Sequence, residues 1–288
     1  MSKTKLTKNQ TRICLICTTI IFIIIIFADY FSRNVSQTMT KQKGIFIPII
    51  MYHSISRDES MQNDYVISPI TLEKDIVYLK QKGYTPIFVQ EIIDYVHIDS
   101  PLPEKPIVLT FDDGFSDNLE YLLPLLEKYD FKATVSVVGS YTEISDNSKI
   151  NPYLKSEEIT KLYESCHVEI ANHSYDMHST GGVRNGCSII SGESYEEYRN
   201  TLLTDLDKTQ QYLMENCKIL PTVFTYPYGF VCEPSMRIVK SAGFKASLGV
   251  EEKPNFITKD PDCLYNLNRY NRPSGIETED FFEKVLDF

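Results

Sequence analysis

The chain has 288 residues, of which 42% are hydrophobic and 24% are charged, an ordinary composition for a globular protein that buries a core. Its formal net charge is −10, and because the first twelve residues are basic, the remainder of the chain is more acidic still. An acidic body repels phosphate backbones, so the composition argues against a nucleic-acid partner.

An apolar segment near the N-terminus follows a basic tail over residues 1–12. The apolar run extends from Ile13 to Ala28, and Tyr30 and Phe31 can lengthen it as interfacial anchors. The basic flank predicts that the tail stays in the cytoplasm. We therefore predict a single-pass transmembrane signal-anchor over residues 13–31, with the following domain outside the cytoplasm at the cell membrane. A cleaved signal peptide is the alternative, although no small-residue cleavage site is evident.

Residues 32–43 are polar and unpatterned, which fits a linker, and one folded domain is predicted over residues 44–288. In this domain, strands rich in Ile and Val alternate with amphipathic helices. The predicted strands are 45–52, 106–111, 133–139, 168–171, 222–226 and 245–250, and the predicted helices are 70–83, 117–130, 156–166, 194–216 and 234–243. This alternation predicts an α/β fold with parallel strands covered by helices. Six such units favour a barrel, and a doubly wound open sheet is the alternative.

Polar motifs follow four of the predicted strands. In a parallel barrel, functional side chains lie just beyond the carboxyl ends of the strands. These ends carry Met51-Tyr52-His53, Asp112-Asp113-Gly114, Asn172-His173-Ser174 with His178 close behind, and Pro227-Tyr228-Gly229. The sequence therefore predicts that polar side chains from distant parts of the chain meet at one rim.

Two adjacent carboxylates and two histidines are the groups that a hydrolytic metal site needs. Neutral imidazole and carboxylate ligands suit zinc, with cobalt or nickel as related choices. Three protein ligands leave a position for water and a substrate carbonyl, and a bound ion lowers the pKa of water from ~15.7 towards neutrality. A second carboxylate beside the ligands can accept the proton of that water.

The combined pattern resembles the polysaccharide deacetylases of the NodB-type carbohydrate esterase family. The residues that carry the resemblance are Thr110-Phe111-Asp112-Asp113-Gly114, His173-Ser174 with His178, and Tyr226-Pro227-Tyr228-Gly229, and the Met51-Tyr52-His53-Ser54 segment is also similar. The resemblance covers most of the body, over residues 45–250. It implies a distorted (β/α) barrel that hydrolyses N-acetyl, and sometimes O-acetyl, groups on sugars.

The resemblance also implies roles for individual residues. The implied metal ligands are Asp113, His173 and His178. Asp112 matches the catalytic base, and Pro227-Tyr228-Gly229 matches a substrate-binding turn in which the N–H of Tyr228 faces the charge on the tetrahedral intermediate. Ser174 resembles a residue that orients the ligands without touching the metal.

Two positions in the middle of the chain depart from the family pattern. The two histidines are five residues apart instead of four, so Asp176 between them is an alternative ligand. Thr225 stands where the family carries an Arg that pairs with the catalytic base. Arg269 or Arg272, from a later segment, can supply that charge instead.

The general acid of the family has no counterpart by position. That acid is a His near the end of the domain, and no His follows His178 in this chain. The role is therefore missing, taken by another group, or filled by Asp112 after it has accepted the proton of the water. General acid assistance is worth about 10²–10⁴-fold, so a slower or differently tuned enzyme is expected.

The resulting prediction is a membrane-anchored, metal-dependent hydrolase that removes N-acetyl groups from a cell-envelope or extracellular polysaccharide, such as peptidoglycan or another N-acetylglucosamine glycan. The expected partners are this glycan and the membrane, and the protein is expected to be a monomer. Two alternatives stay open. One is a glycan-binding protein without activity, which the departures favour; the other is an esterase for O-acetyl groups, whose alcohol leaving group depends less on protonation.

Overall fold

The computed structural model of the protein describes residues 44–143 and 152–287. The strands are β1 (Ile45–Phe46), β2 (Ile49–Tyr52), β3 (Ser54–Ile55), β4 (Val66–Ile67), β5 (Thr85–Pro86), β6 (Pro106–Phe111), β7 (Ala133–Val137), β8 (Val168–Asn172), β9 (Val223–Thr225), β10 (Ala246–Leu248), β11 (Phe256–Ile257) and β12 (Tyr270–Asn271). The helices are α1 (Pro69–Gln81), α2 (Val89–Ile98), α3 (Leu123–Tyr129), α4 (Gly139–Glu143), α5 (Ser156–Glu164), α6 (Tyr195–Cys217), α7 (Glu233–Ser241) and α8 (Thr278–Leu286). A π-helical turn (Asn118–Leu122) precedes α3 directly.

One eight-stranded parallel sheet forms the centre of the fold. Its order is β10-β9-β8-β7-β6-β2-β12, with β5 added beside the start of β6. The segment 267–271 lies between the two ends of this sheet, because Leu267 exchanges hydrogen bonds with Ser247 and Gly249 while Tyr270 pairs with Ile50. The sheet is therefore curled into a half-barrel, and the predicted parallel (β/α) architecture is confirmed.

The end of the half-barrel at which the strands begin is covered by α2. Glu169, near the start of β8, accepts hydrogen bonds from the N–H groups of Val89 and Gln90 at the start of this helix, each at 3.0 Å. Apolar side chains of α2 pack in one buried cluster with inward residues of the strands, among them Val108 and Val223. The opposite end, where the polar motifs lie, is left for a site.

A buried ion pair attaches the C-terminal segment to α1. Arg272 and Asp75 are both fully buried, and the two nitrogen–oxygen contacts between them measure 2.9 and 3.1 Å. Asp75 also accepts hydrogen bonds from the hydroxyls of Tyr52 and Thr278. A buried carboxylate needs such a complete set of donors because its desolvation costs several kcal/mol. The pair holds the C-terminal segment around Arg272 against α1.

The structure differs from the sequence-based elements at several places. The predicted strand 45–52 is interrupted at Pro48, which has no N–H to donate to a neighbouring strand, although its carbonyl accepts from Val108. The predicted helix 117–130 begins with the π-helical turn. Several elements were not predicted: the strands β3, β4, β5, β11 and β12 and the helices α2, α4 and α8. A strand of two residues such as β12 is too short to show any periodic pattern.

Within residues 44–143 and 152–287, no helix combines the length and the apolar character that crossing a membrane requires. The predicted signal-anchor over 13–31, its basic tail and the linker over 32–43 lie outside the described residues. They stay predictions.

Candidate active site and metal centre

A cleft of about 570 Å³ opens at the carboxyl ends of the central strands. The polar and aromatic residues of its wall include His53 after β2, Asp112 and Asp113 after β6, His173 and His178 after β8, and Tyr228 after β9. The strand order thus brings together side chains that are far apart in the sequence.

Asp113, His173 and His178 meet in this cleft. Oδ1 of Asp113 is 2.9 Å from Nε2 of His178 and 3.5 Å from Nε2 of His173. The three candidate ligand atoms all lie within 4.8 Å of one another, and no other such group occurs in the part of the chain that the structure describes. Two imidazoles and one carboxylate at this spacing can hold a divalent ion and leave a position open.

The turn after β6 orients the side chain of Asp113 towards the cleft. Asp113 and Gly114 both have left-handed φ angles, 71° and 69°. A Cβ atom on Gly114 would lie 3.0 Å from Cγ1 of Val137, so the left-handed backbone and this close approach to β7 both favour glycine. Burial raises the pKa of Asp113, but its hydrogen bonds with His173 and His178 outweigh burial and keep the pKa below its ordinary value. The carboxylate is therefore ionised and available to a cation.

His173 is held in the tautomer that a metal ligand requires. Its Nδ1 lies 2.8 Å from the carbonyl oxygen of Thr225, and the ring is buried. A carbonyl can only accept a hydrogen bond, so Nδ1 carries a hydrogen, and Nε2, which faces Asp113, is the nitrogen left to bind a metal. A backbone carbonyl is a usual partner for the second nitrogen of a metal-bound His.

His178 lies on a loop, and this loop accommodates the five-residue spacing. Its ring centroid is 4.9 Å from that of His173, so both imidazoles face the same space. The hydroxyl of Tyr141 donates to the carbonyl of His178 at 3.0 Å. Asp176 lines a separate cavity and does not belong to the candidate metal group. The structure therefore places both histidines, and not Asp176, beside Asp113.

Asp112 forms a two-pronged ion pair with Arg269. The distances are 2.7 Å from Nη1 to Oδ1 and 2.8 Å from Nη2 to Oδ2, and Arg269 is fully buried. Burial raises the pKa of Asp112, but the charge and hydrogen bonds of Arg269 more than offset it, so the pKa lies below its ordinary value. Of the two arginines considered, Arg269 supplies the charge, while Arg272 pairs with Asp75.

Thr225 has a different task from the Arg that the resemblance leads one to expect. Its hydroxyl is 2.7 Å from the hydroxyl of Ser136 in β7, and its carbonyl holds His173. The cation instead reaches Asp112 from segment 267–271, where Nε of Arg269 donates to the carbonyl of Gly249 and Nη1 donates to the hydroxyl of Thr110.

The Pro227–Gly229 turn forms one rim of the cleft. Tyr228 has a left-handed backbone (φ 54°), its side chain is 49% exposed, and its ring lies 4.5 Å from that of His178. Pro227 is buried, and a Cβ on Gly229 would lie 2.0 Å from Cγ2 of Val250, so this position also requires glycine. The turn is thus placed beside the candidate metal ligands, and its predicted binding role stays a prediction.

Ser174 contributes to the site through its backbone. Its N–H donates to Oδ1 of Asn172 at 2.8 Å, and its carbonyl accepts from the N–H of Gly139 at 3.0 Å. Its hydroxyl is buried and has no hydrogen-bond partner among the residues described. The structure therefore gives no contact through which this hydroxyl would orient the ligands.

His53, which the sequence places at the predicted rim without assigning it a role, is a further candidate functional residue. It lines the cleft, its Nδ1 is buried, and that nitrogen has no hydrogen-bond partner within the described chain. Burial lowers its pKa, while the charges of Asp112 and Asp113 act in the opposite direction. The carbonyl of His53 is held by the side-chain amide of Asn118 at 3.2 Å. It lies directly after β2, and its position at the rim was predicted from the sequence.

A family model described as polysaccharide deacetylase matches residues 99–247, more than half of the chain. The chain belongs to the polysaccharide deacetylase family. The resemblance noted in the sequence is therefore confirmed, and so is the predicted enzyme class at the level of this family.

Curated relatives of this polysaccharide deacetylase family member include the poly-beta-1,6-N-acetyl-D-glucosamine N-deacetylase of Escherichia coli (strain K12). The identity is 25% over 217 residues, covering 68% of this chain and 32% of that protein. A Staphylococcus aureus (strain MRSA252) protein of the same description is 24% identical over 245 residues, which are 85% of this chain and 78% of that protein. The chain thus spans about a third of the length of the Escherichia coli relatives.

Solved structures share the fold of this polysaccharide deacetylase family member. A Streptococcus pyogenes deacetylase in complex with acetate matches with a TM-score of 0.68 and 20% identity, covering 84% of this chain and 99% of that one. A de-N-acetylase from Aggregatibacter actinomycetemcomitans matches with a TM-score of 0.69 and 24% identity, with the same coverage of 84% and 99%. The curled (β/α) fold is therefore shared over nearly the whole length of each of the two solved chains.

Proposed function

We propose that this protein is a metal-dependent enzyme that removes N-acetyl groups from a polysaccharide of N-acetylglucosamine. The observation that carries the proposal is the meeting of Asp113, His173 and His178 in one cleft with the Arg269-paired carboxylate of Asp112. Two relatives are described as N-deacetylases of the β-1,6-linked polymer, so that polymer is the first substrate to test.

Asp113, His173 and His178 would hold the divalent ion. The donor set fits because Asp113 is ionised and Nδ1 of His173 is engaged by the Thr225 carbonyl, which leaves Nε2 for the ion, and two imidazoles with one carboxylate suit zinc, with cobalt and nickel as related choices. Such an ion, when bound, polarises a carbonyl group and lowers the pKa of water.

Asp112 is the proposed catalytic base. A carboxylate offers about four lone-pair sites, so the two bonds from Arg269 fix its orientation and still leave lone pairs that can accept a proton from the attacking water. The backbone N–H of Tyr228 is the proposed donor to the oxygen that becomes negative as the acetyl carbon turns tetrahedral. The exposed ring of Tyr228 would contact the sugar beside the acetamide.

His53 is the proposed acid that protonates the departing amine. The imidazole lies in the same cleft as Asp112 and Asp113. Burial lowers the pKa of His53 below its ordinary value, and the charges of the two carboxylates offset this only in part, so the protonated ring would give up its proton readily. This assignment fills the role for which the sequence after His178 offers no histidine.

Replacing His53 with Gln should slow release of acetate from an N-acetyl substrate by about 10²–10⁴-fold, because an amine cannot leave unprotonated. Release of acetate from 4-nitrophenyl acetate should fall far less, because that leaving group departs as a stable anion. Both rates are measured on one preparation of each protein. If the rates on the two substrates fell by the same factor, His53 would not be the acid.

The function is tested by acetate release from poly-β-1,6-N-acetylglucosamine oligomers by the full chain. Chelator treatment should stop the reaction, and adding back zinc, cobalt or nickel should restore it. An O-acetylated sugar serves as the comparison substrate. No acetate from any N-acetylated glycan with any of the three metals would remove the proposal. Binding of glycan without release would favour a glycan-binding protein on this fold.

The proposed location is the outer face of the cell membrane. A signal-anchor over residues 13–31 would hold the catalytic domain where envelope glycans are within reach. N-terminal sequencing of the protein from membranes tests this, since a chain beginning between residues 28 and 36 would mean a cleaved signal instead.

A further inference from the structure

We propose that Asp205, on α6, is a positioning residue that places His178 for metal binding. The proposal rests on the proposed function, because it concerns the ligand set Asp113, His173 and His178. It explains how a loop with no helix or strand structure delivers His178 to a fixed point despite the longer spacing from His173.

Asp205 occupies a position at which a charged side chain is costly. The buried face of α6 is an otherwise largely apolar stripe that includes Tyr198, Leu202, Leu206 and Leu213. Asp205 lies within this stripe and is only 8% exposed. A buried carboxylate destabilises a fold unless hydrogen bonds compensate for the lost water, so its presence here calls for partners.

Those partners are two consecutive backbone groups of the His178 loop. Oδ1 of Asp205 accepts from the N–H of Tyr175 and Oδ2 accepts from the N–H of Asp176, both at 2.8 Å. Hydrogen bonds to a charged acceptor are about twice as strong as neutral ones. The carboxylate therefore holds the loop two residues before His178.

The same loop is held from its other side by the start of α4. The N–H groups of Gly139 and Ser140 donate to the carbonyls of Ser174 and Tyr175, each at 3.0 Å. A Cβ on Gly139 would lie 2.8 Å from Cδ2 of Tyr175 in the loop and 2.6 Å from Oγ1 of Thr209 on α6, so glycine allows α4 to approach both closely. The backbone of residues 174–176 thus has hydrogen-bond partners on two sides.

Met177 completes the attachment. Its side chain is 7% exposed and packs in a core cluster with Tyr198, Leu202 and Leu206 of α6. The N–H of Asp176 is hydrogen-bonded to Asp205, and Met177 is buried against the same helix. The backbone that precedes His178 is therefore fixed. Its Nε2 then lies 2.9 Å from Oδ1 of Asp113.

The test is the zinc affinity of folded variants, measured without substrate by competition with a chromophoric chelator. Residues that support metal ligands typically contribute about 10–100-fold to affinity, so Asp205→Ala should raise the zinc Kd by about that factor. Asp205→Asn keeps the shape and one acceptor oxygen, so its loss should be smaller. Asp207→Asn removes the same charge from an exposed position of α6 and should leave the Kd unchanged.

Two further variants separate positioning from general weakening of the fold. If Asp205 acts through His178, Asp205→Ala should add no loss of zinc affinity in a His178→Ala background, yet keep its effect in a His173→Ala background. Thermal unfolding in chelator shows which variants are folded, and Asp205→Asn decides the matter if Asp205→Ala does not fold.

An unchanged zinc Kd in a folded Asp205 variant would overturn the proposal, as would equal losses in the two histidine backgrounds. These outcomes concern zinc alone. They are distinguishable from failure of the deacetylase assignment, which would appear as absent acetate release by a wild-type protein that still binds zinc.

Discussion

Asp112→Asn should lose nearly all turnover while still binding zinc, whereas His173→Ala should lose both. An Asn side chain cannot accept the proton of the attacking water, and loss of a general base costs about 10²–10⁴-fold in rate. His173 instead supplies the candidate ligand Nε2, so its removal should directly weaken zinc binding. Acetate release and zinc affinity are measured on the same preparations.

The control for this prediction must separate chemistry from folding. Asn at position 112 leaves buried Arg269 facing an amide group, so the melting temperature of each variant is followed alongside its rate. Asp207→Asn, on the exposed face of α6, serves as the matched neutral substitution. If Asp112→Asn turned over as fast as the wild type, Asp112 would not be the base. If His173→Ala bound zinc as tightly as the wild type, His173 would not be a metal ligand.

Arg269→Met is expected to reduce both stability and rate. Breaking a buried ion pair by removing one partner costs about 3–5 kcal/mol, because Asp112 would remain buried without its cation. The rate should also fall, by about 10²-fold, since a small misplacement of a catalytic group has an effect of that order. Chemical unfolding gives the first quantity, and acetate release by the folded protein gives the second.

Arg272→Met is the matched control for Arg269→Met. Arg272 is equally buried and also pairs with one carboxylate, but that carboxylate is Asp75 of α1 and not a residue of the cleft wall. It should lose comparable stability and keep its rate per folded molecule. Arg269→Lys retains the charge without the two-pronged geometry and should fall between wild type and Arg269→Met. Equal rate losses in Arg269→Met and Arg272→Met would mean that Arg269 acts only on the fold.

Much of the candidate site could be predicted from the sequence because its residues follow strands directly. The Asp112-Asp113-Gly114 motif and the His173 segment each come just after an apolar strand that is visible as a local pattern. In a parallel sheet all carboxyl ends lie on one side, so strand identity alone predicts that such motifs share a rim.

The sequence predicted that Arg269 or Arg272 pairs with Asp112, but it offered no local signal to choose between them. Two arginines, Arg269 and Arg272, lie three residues apart in the same segment, and nothing local distinguishes them. The choice depends on β12, a two-residue strand whose pairing with β2 sets which side chain faces the interior of the half-barrel. Such a register is determined by contacts across the sheet, and a strand this short shows no periodic pattern in the sequence.

The sequence by itself therefore determined the alternating parallel fold, the family, and the residues that follow each strand, because these depend on short-range patterns and on one chain direction. The tertiary structure decided which cation meets Asp112, how the longer loop between His173 and His178 is held by Asp205, and that Nδ1 of His53 is buried without a hydrogen-bond partner in the described chain. Each of these depends on where side chains distant in sequence meet in space, and burial makes their charges and hydrogen bonds strong only once they have met.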